Sequence, residues 1–92
     1  MMCCVLTFIR SAALELAPFG ITINAIMPGN TMTEMIETFP EYIETMLLAI
    51  PLKRFGTVEE MGHAAAFLAS KEAGFITGQT IIIDGGQSLP ES

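Results

Sequence analysis

Apolar residues near the start of the chain recur at the spacing of a helix. They lie three or four positions apart, which is the pattern of an amphipathic helix: Val5, Leu6, Ile9, Ala12, Ala13 and Leu16. Pro18 cannot continue the helix, and Gly20 permits a tight turn after it. We predict a helix over residues 3–17, and we expect most of it to be buried because few of its positions are polar.

Two short segments are almost wholly apolar and rich in β-branched residues. They are residues 21–27, "ITINAIM", and residues 80–83, "TIII". Strands that are covered on both faces, as in a parallel sheet, have this composition. Parallel neighbours need a crossover connection, which is usually helical, so the order helix, strand, helices, strand predicts an α/β fold.

The segment between the predicted strands carries two helical patterns. Residues 33–50 form the first, which Pro40 divides into two short amphipathic pieces. Its Met-rich apolar sides suit a mobile cover better than a rigid core element. After a loop over residues 51–56, Thr57 and Glu60 have the spacing of a capping box. This pattern predicts the start of a helix over residues 57–69.

Composition limits the size of the protein and the class of its partners. The chain has 92 residues, 51% of them hydrophobic and 15% charged, so we expect one small folded domain. So high an apolar content predicts surface that another subunit, or a further part of the same protein, covers. The net charge is −6 with only four basic residues, so we expect no nucleic-acid partner. No apolar run approaches the length that spans a bilayer, and we expect a cytoplasmic protein without a membrane partner.

Common catalytic and metal-binding motifs do not occur in these 92 residues. There is no G-x-G-x-x-G motif, no Walker loop and no G-x-S-x-G elbow. The single histidine, His63, lies within the last predicted helix, where a solvent-facing or structural side chain is favoured over a catalytic one. Cys3 and Cys4 are adjacent, and two neighbouring thiols with one distant histidine do not make a metal site. We predict no catalytic and no metal-ligating residue.

Polar residues follow the first predicted strand directly, in the segment "PGNTMT" at residues 28–33. In open α/β sheets, ligands bind beyond the carboxyl ends of the strands, and this segment lies there. Gly29 permits close approach of a ligand to the backbone, and the threonines offer donors and acceptors. Alternatively, Thr33 only caps the helix that follows. The pattern alone leaves both interpretations open.

The chain resembles the C-terminal part of short-chain dehydrogenase/reductases in three segments that occur in the same order: "RSAALELAPFGITINAIMPGNTMTEM", "IPLKRFGTVEEMGHAAAFLAS" and "ITGQTIIIDGGQ". The resemblance implies a partial Rossmann-type, doubly wound parallel sheet, with only the last two strands and their flanking helices. It also implies that residues 1–92 are a C-terminal fragment of a single Rossmann domain. Residues 33–50 then correspond to the substrate lid.

The resemblance also implies a set of cofactor contacts. In this family a Pro-Gly-x-Ile/Val-x-Thr pattern follows the sixth strand and contacts the nicotinamide carboxamide and the neighbouring phosphate. Pro28, Gly29 and Thr33 match the pattern, and Thr31 stands where Ile or Val is usual. A contact through the backbone would survive that change. The resemblance thus implies that Pro28, Gly29, Thr31 and Thr33 bind NAD or NADP, without choosing between the two.

Other functional parts of the family have no match in these residues. They are the Gly-rich loop and the catalytic Ser, Tyr and Lys. The resemblance therefore implies a truncated NAD(P)-dependent oxidoreductase that transfers hydride between a nicotinamide and an alcohol or carbonyl substrate. We expect it neither to bind the cofactor nor to be active alone, and to form a homo-oligomer or to associate with a missing N-terminal part. Sugar or polyol substrates and 3-oxoacyl substrates both stay open. The alternative is a non-catalytic interaction module that associates with subunits of this family through residues 57–87.

Overall fold

The computed structural model describes residues 2–32 and 40–90, with side chains from residue 5 onward. Helix α1 spans Met2–Leu16 and is followed by a 3-10 turn at Ala17–Phe19. The remaining elements are strand β1 at Ala25–Pro28, helix α2 at Pro40–Leu48, helix α3 at Val58–Leu68, a 3-10 turn at Lys71–Ala73 and strand β2 at Thr80–Ile83. No helix in the described ranges is both long and apolar enough to cross a membrane.

The two strands form a parallel pair. The N–H of Ala25 donates to the carbonyl of Gln79 at 2.9 Å, and the N–H of Gly29 donates to the carbonyl of Ile83 at 2.9 Å. The register is therefore the same at both ends of the pair. A parallel pair flanked by helices confirms the predicted α/β class and the Rossmann-type arrangement of its last two strands.

The first strand is shorter than the sequence predicts. Residues 21–24 are not part of β1, which begins at Ala25. The N–H of Gly78 donates to the carbonyl of Ile23 at 2.8 Å, and the side chain of Asn24 adds two bonds beside this pairing. Its Nδ2 donates to the carbonyl of Ile76 at 3.0 Å, and its Oδ1 accepts from the N–H of Gln79 at 3.0 Å. Because an amide side chain can satisfy both kinds of backbone group, the chain is held without a regular ladder.

The predicted turns and helix starts agree well with the structure. Gly20 has φ of 71°, and its N–H donates to the carbonyl of Ala17 at 3.0 Å, so the chain turns where the glycine predicts. Helix α2 begins at Pro40, which is a favourable first position because its missing N–H would have no helical partner there. The piece predicted before Pro40, residues 33–39, lies outside the described residues.

The chain divides into two compact units. The first comprises Met1–Ile26 and His63–Ile81. Its described core contains Ile9 and Ala13 of α1, and the Ala13 methyl lies 3.3 Å from where a side chain at Gly78 would begin. The prediction that most of α1 is buried is wrong for this structure: Phe8 and Leu14 are 67% and 78% exposed. Among the described side chains of α1, those of Ile9 and Ala13 are the buried ones, and they lie on one narrow side of the helix.

The second unit comprises Met27–Gly62 and Ile82–Ser92. Its described core contains Ile50 and Phe55. The N–H of Leu52 donates to the carbonyl of Gly85 at 3.1 Å, and a Cβ added at Gly85 would lie 2.9 Å from the Ile50 side chain. The loop after α2 thus packs closely against the turn after β2. Helix α2 itself, which is described throughout, has no buried residue.

Candidate functional site

Gly29 ends β1 in close contact with the end of β2. Its N–H donates to the carbonyl of Ile83 at 2.9 Å. A Cβ at position 29 would lie 2.6 Å from the Cβ of Asp84 and 2.9 Å from its Cα. The sequence suggests that this glycine gives a ligand access to the backbone. The structure provides a different physical reason, because it is Asp84 that occupies the space a side chain would need.

The backbone after Gly29 is paired on one side only. The N–H of Gly56 donates to the carbonyl of Asn30 at 3.0 Å, and the N–H of Met32 donates to the carbonyl of Gly56 at 3.0 Å. These two bonds form a parallel bridge between Thr31 and Gly56. In such a bridge the N–H and C=O of the central residue point away from the partner. Within the described part of the chain, the N–H and C=O of Thr31 are left without a backbone partner.

The hydroxyl of Thr31 supports this loop. Its Oγ1 donates to the carbonyl of Gly29 at 3.2 Å, a local bond that favours a bend. The hydroxyl proton is therefore engaged by the chain's own backbone. A ligand can meet the N–H and C=O of Thr31. A contact through these backbone groups does not require Ile or Val at this position.

The four predicted cofactor residues differ in how far the structure describes them. Pro28 is the exposed last residue of β1, and Gly29 and Thr31 follow it in the loop. Thr33 lies outside the described residues, and so does the helix start that it caps in the alternative interpretation. Sequence reasoning missed Gly56 and Asp84. No local pattern marks either of them, because both contact the loop from distant parts of the chain.

A fixed ion pair lies close to Gly56 along the chain. The guanidinium of Arg54 donates two bonds to Glu60, at 3.0 and 2.9 Å. Thr57 and Glu60 also complete the predicted capping box, since the N–H of Thr57 donates to Glu60 Oε1 at 2.9 Å and the N–H of Glu60 donates to Thr57 Oγ1 at 3.0 Å. The bonds from Arg54, followed by the bond from the Thr57 N–H, lower the pKa of Glu60 to about 2. Glu60 is therefore ionised at neutral pH.

Asp84 shapes the turn after β2. Its Oδ1 accepts from the N–H of Gly86 at 2.9 Å, and its Oδ2 accepts from the N–H of Ser88 at 2.9 Å. Hydrogen bonds from Ser88 and from the Gly86 N–H lower the pKa of Asp84 below its ordinary value. The carboxylate thus holds the turn that contains Gly85 and Gly86.

These groups surround a half-open cavity of about 100 Å³ in the second unit. Its lining includes backbone and side chains from the loop after β1, the segment before α3 and the turn after β2: Asn30, Arg54, Gly56, Glu60, Asp84 and Gly85. The polar residues of the site therefore converge beyond the carboxyl ends of both strands, where ligands bind in α/β folds. Among the described residues, no three His, Cys, Asp or Glu side chains lie in an arrangement that could hold a metal ion.

The comparisons with known proteins agree with one another. The family model described as "Enoyl-(Acyl carrier protein) reductase" matches residues 3–88. The acetoacetyl-CoA reductase of Shinella zoogloeoides is 48% identical over 84 residues, which are 89% of this chain and 35% of that protein. The 3-oxoacyl-[acyl-carrier-protein] reductase FabG of Buchnera aphidicola is 44% identical over 84 residues, covering 90% of this chain and 34% of that protein.

A solved structure extends the likeness to three dimensions. The crystal structure of YwfH, an NADPH dependent reductase involved in bacilysin biosynthesis, superposes with a TM-score of 0.87 at 35% identity. The superposition covers 97% of this chain and 38% of that protein. The chain thus spans about a third of the length of the curated relatives that it matches. The matched range, the identities and the fold together establish that the chain belongs to the short-chain dehydrogenase/reductase family.

Proposed function

We propose that this chain forms the nicotinamide-binding end of an NAD(P)-dependent oxidoreductase that transfers hydride between the cofactor and an alcohol or carbonyl substrate. Membership of the family supports the reaction class. The name of one structural relative, an NADPH dependent reductase, supports the cofactor. The observation that carries the proposal is the backbone of Thr31, whose N–H and C=O point away from Gly56.

The two backbone groups of Thr31 match a primary carboxamide. Such a group has an N–H donor and a carbonyl acceptor side by side, so it can pair with an extended residue as a neighbouring strand would. Bonds on the opposite side, from Gly56 to the carbonyl of Asn30 and from Met32 to Gly56, fix the peptide before a ligand arrives. Little reorganisation is then needed on binding.

Each predicted site residue has a separate role in this proposal. Pro28 and Gly29 end β1 and place the loop, and Thr31 holds the carboxamide through its backbone. The family resemblance assigns the contact with the neighbouring phosphate to Thr33, which lies outside the described residues. A bound nicotinamide supplies or accepts the hydride. The chain's own contribution is to orient that ring by its carboxamide.

We further propose that these 92 residues do not transfer hydride by themselves. They contain no Tyr-x-x-x-Lys pair and no Gly-rich nucleotide loop. Proton transfer in the reaction needs a side chain placed to donate or accept at the substrate oxygen. The polypeptide that corresponds to the first two thirds of the relatives would supply those groups, and the chain would associate with it.

A joined protein tests the proposal. The full chain is linked to the first two thirds of the Shinella reductase, and oxidation of NADPH and of NADH by acetoacetyl-CoA is followed. We expect oxidation by the joined protein and none by the 92 residues alone. A correctly folded joined protein without activity would contradict the proposal.

Two variants at position 31 test the backbone contact within that protein. Thr31→Val keeps the N–H and C=O and should retain activity. Thr31→Pro removes the N–H and should raise the KM for the cofactor about tenfold, the effect of one lost hydrogen bond. Circular dichroism confirms that both variants fold. Equal kinetics for the two would mean that the Thr31 N–H makes no cofactor contact.

A second candidate function is a non-catalytic module that associates with subunits of the family through residues 57–87. The observation that favours it is the exposure of large apolar side chains there: Phe67 is 48%, Ile82 49% and Phe75 fully exposed. Apolar surface of this kind is often a protein contact. Sedimentation analysis over a range of salt concentrations tests the idea, and a monomer at every concentration would exclude it.

A further inference from the structure

Asn30 is the polar residue of the loop after β1 that the proposed cofactor contacts leave unused. Its backbone is fixed, because its carbonyl accepts from the N–H of Gly56 at 3.0 Å. Its side chain is held more loosely: Nδ2 donates to Gln87 Oε1 at 3.4 Å, in an exposed position. Within the described part of the chain, this long bond is the only one that the Asn30 amide makes. A fixed backbone with a weakly engaged amide can exchange that bond for one to a ligand.

The cavity that Asn30 lines is small. Its volume is about 100 Å³, and it is half open to solvent. A polar group such as a hydroxyl or a carbonyl fits inside it, and the rest of a longer ligand can extend through the open side.

The charged residues lining the cavity disfavour an anion. They are one guanidinium, Arg54, and two carboxylates, Glu60 and Asp84. Both terminal nitrogens of Arg54 donate to the carboxylate of Glu60. The two carboxylates have lowered pKa values and stay ionised at neutral pH. An incoming carboxylate or phosphate would meet a net negative lining, whereas an uncharged hydroxyl or carbonyl would not.

We propose that Asn30 is a specificity-determining residue whose side-chain amide leaves Gln87 and binds an uncharged hydroxyl or carbonyl oxygen of the substrate. The inference rests on the proposed function, because it concerns the substrate of that same site. It deepens that function by assigning to Asn30 the choice of an uncharged oxygen group at this position. It also predicts that the site discriminates against carboxylates of the same length.

Nuclear magnetic resonance of the joined protein, with isotope labels in this chain only, tests the inference, because side-chain amide groups give their own resonances. The chain has two asparagines, so Asn24 is an internal control: its amide is bonded at both ends within the protein. The probes are erythritol, its carboxylate counterpart erythronate, and nicotinamide. We expect erythritol to shift the Asn30 and Gln87 amide resonances while those of Asn24 stay in place. Erythronate should bind at least tenfold more weakly.

Two variants of Asn30 sharpen the result. Asn30→Ala should weaken erythritol binding by about threefold to tenfold, the effect of one hydrogen bond. Asn30→Asp keeps the size of the side chain but adds a negative charge, so it should weaken erythronate more than erythritol. Unchanged Asn24 resonances in both variants show that the fold is retained.

Several results would overturn the inference. They are an Asn30 amide that does not respond to erythritol, an equal response to erythronate, and a response to nicotinamide alone. The backbone N–H of Thr31 in the nicotinamide titration tests the proposed function separately. A shift of Thr31 with an unresponsive Asn30 leaves the proposed function standing and removes this inference. If erythritol shifts the Asn30 resonances but nicotinamide leaves Thr31 unmoved, the oxygen contact of Asn30 is retained and the proposed nicotinamide contact is removed.

Discussion

Replacing Gly29 with alanine should destabilise the protein strongly. The added Cβ would lie 2.6 Å from the Cβ of Asp84 and 2.9 Å from its Cα, closer than real Cβ atoms come to other heavy atoms. Because one of these atoms is backbone, the contact is relieved only if the ends of the two strands separate. That separation would weaken the bond from Gly29 to the Ile83 carbonyl. Overpacking together with a weakened hydrogen bond costs about 2 to 4 kcal/mol.

Gly62 provides a matched control. It lies in α3, where an added Cβ meets nothing within 4 Å. Gly62→Ala should therefore stabilise the protein by about 0.5–1 kcal/mol, because alanine loses less conformational freedom in a helix. The two substitutions add the same methyl group and should move stability in opposite directions.

Urea unfolding followed by circular dichroism measures both variants. A decrease of about 2 to 4 kcal/mol is a large part of the roughly 5–15 kcal/mol that holds a domain together. If position 29 is glycine only to admit a ligand, Gly29→Ala would unfold like the unmodified chain and lose ligand binding alone. Equal free energies of unfolding for the unmodified chain and Gly29→Ala would therefore refute the packing argument.

Further predictions concern the cap of α3 and the entry to β1. Thr57→Ala removes the acceptor of the Glu60 N–H and should cost about 1 kcal/mol in thermal or urea unfolding. Since the pKa of Glu60 is lowered to about 2 from 4.5, its contribution to stability is present above pH 4.5 and is lost as the pH falls toward 2. Glu60→Gln should flatten the stability profile over that window, and an unchanged profile would contradict the role of the ion pair. Asn24→Ala leaves the Ile76 carbonyl and the Gln79 N–H unpaired, so it should cost about 1–3 kcal/mol and speed hydrogen exchange at Gln79. Normal protection of the Gln79 amide in that variant would mean that Asn24 does not hold the strand entry.

Features set by neighbours along the chain were predictable from the sequence. The capping box of α3 depends on two residues three positions apart, and the structure has both of its bonds. The second strand is also where its β-branched run places it, at Thr80–Ile83. In each case the physical cause is local, either a side chain bonding to nearby backbone or a preference for extended structure.

Features set by distant contacts were not predictable in the same way. The start of β1 differs from the prediction because Asn24 bonds to residues far along the chain, Ile76 and Gln79. An apolar pattern cannot show that a side chain will bond there beside the backbone pairing. The burial of α1 was overestimated for a related reason, since the pattern identifies an apolar side but not what lies against it.

The candidate site combines both kinds of information. The position of residues 28–33 after a strand left a ligand-binding loop and a helix cap both open, and the family resemblance assigned the segment to a nicotinamide cofactor. The pairing of Thr31 with Gly56 has no local signal, although it decides which backbone groups are left for a ligand. The reason for Gly29 likewise depends on Asp84, which follows the other strand.

The backbone N–H resonance of Thr31 gives the most direct test of the central claim, that this residue holds a carboxamide. The joined protein of this chain and the first two thirds of the Shinella reductase is titrated with nicotinamide and, in parallel, with nicotinate, which has the same ring but a carboxylate in place of the amide. The account predicts a saturable shift of the Thr31 resonance with nicotinamide and a much weaker one with nicotinate, which lacks the donor that the Thr31 carbonyl requires. An unmoved Thr31 resonance, or equal shifts with the two compounds, would contradict it.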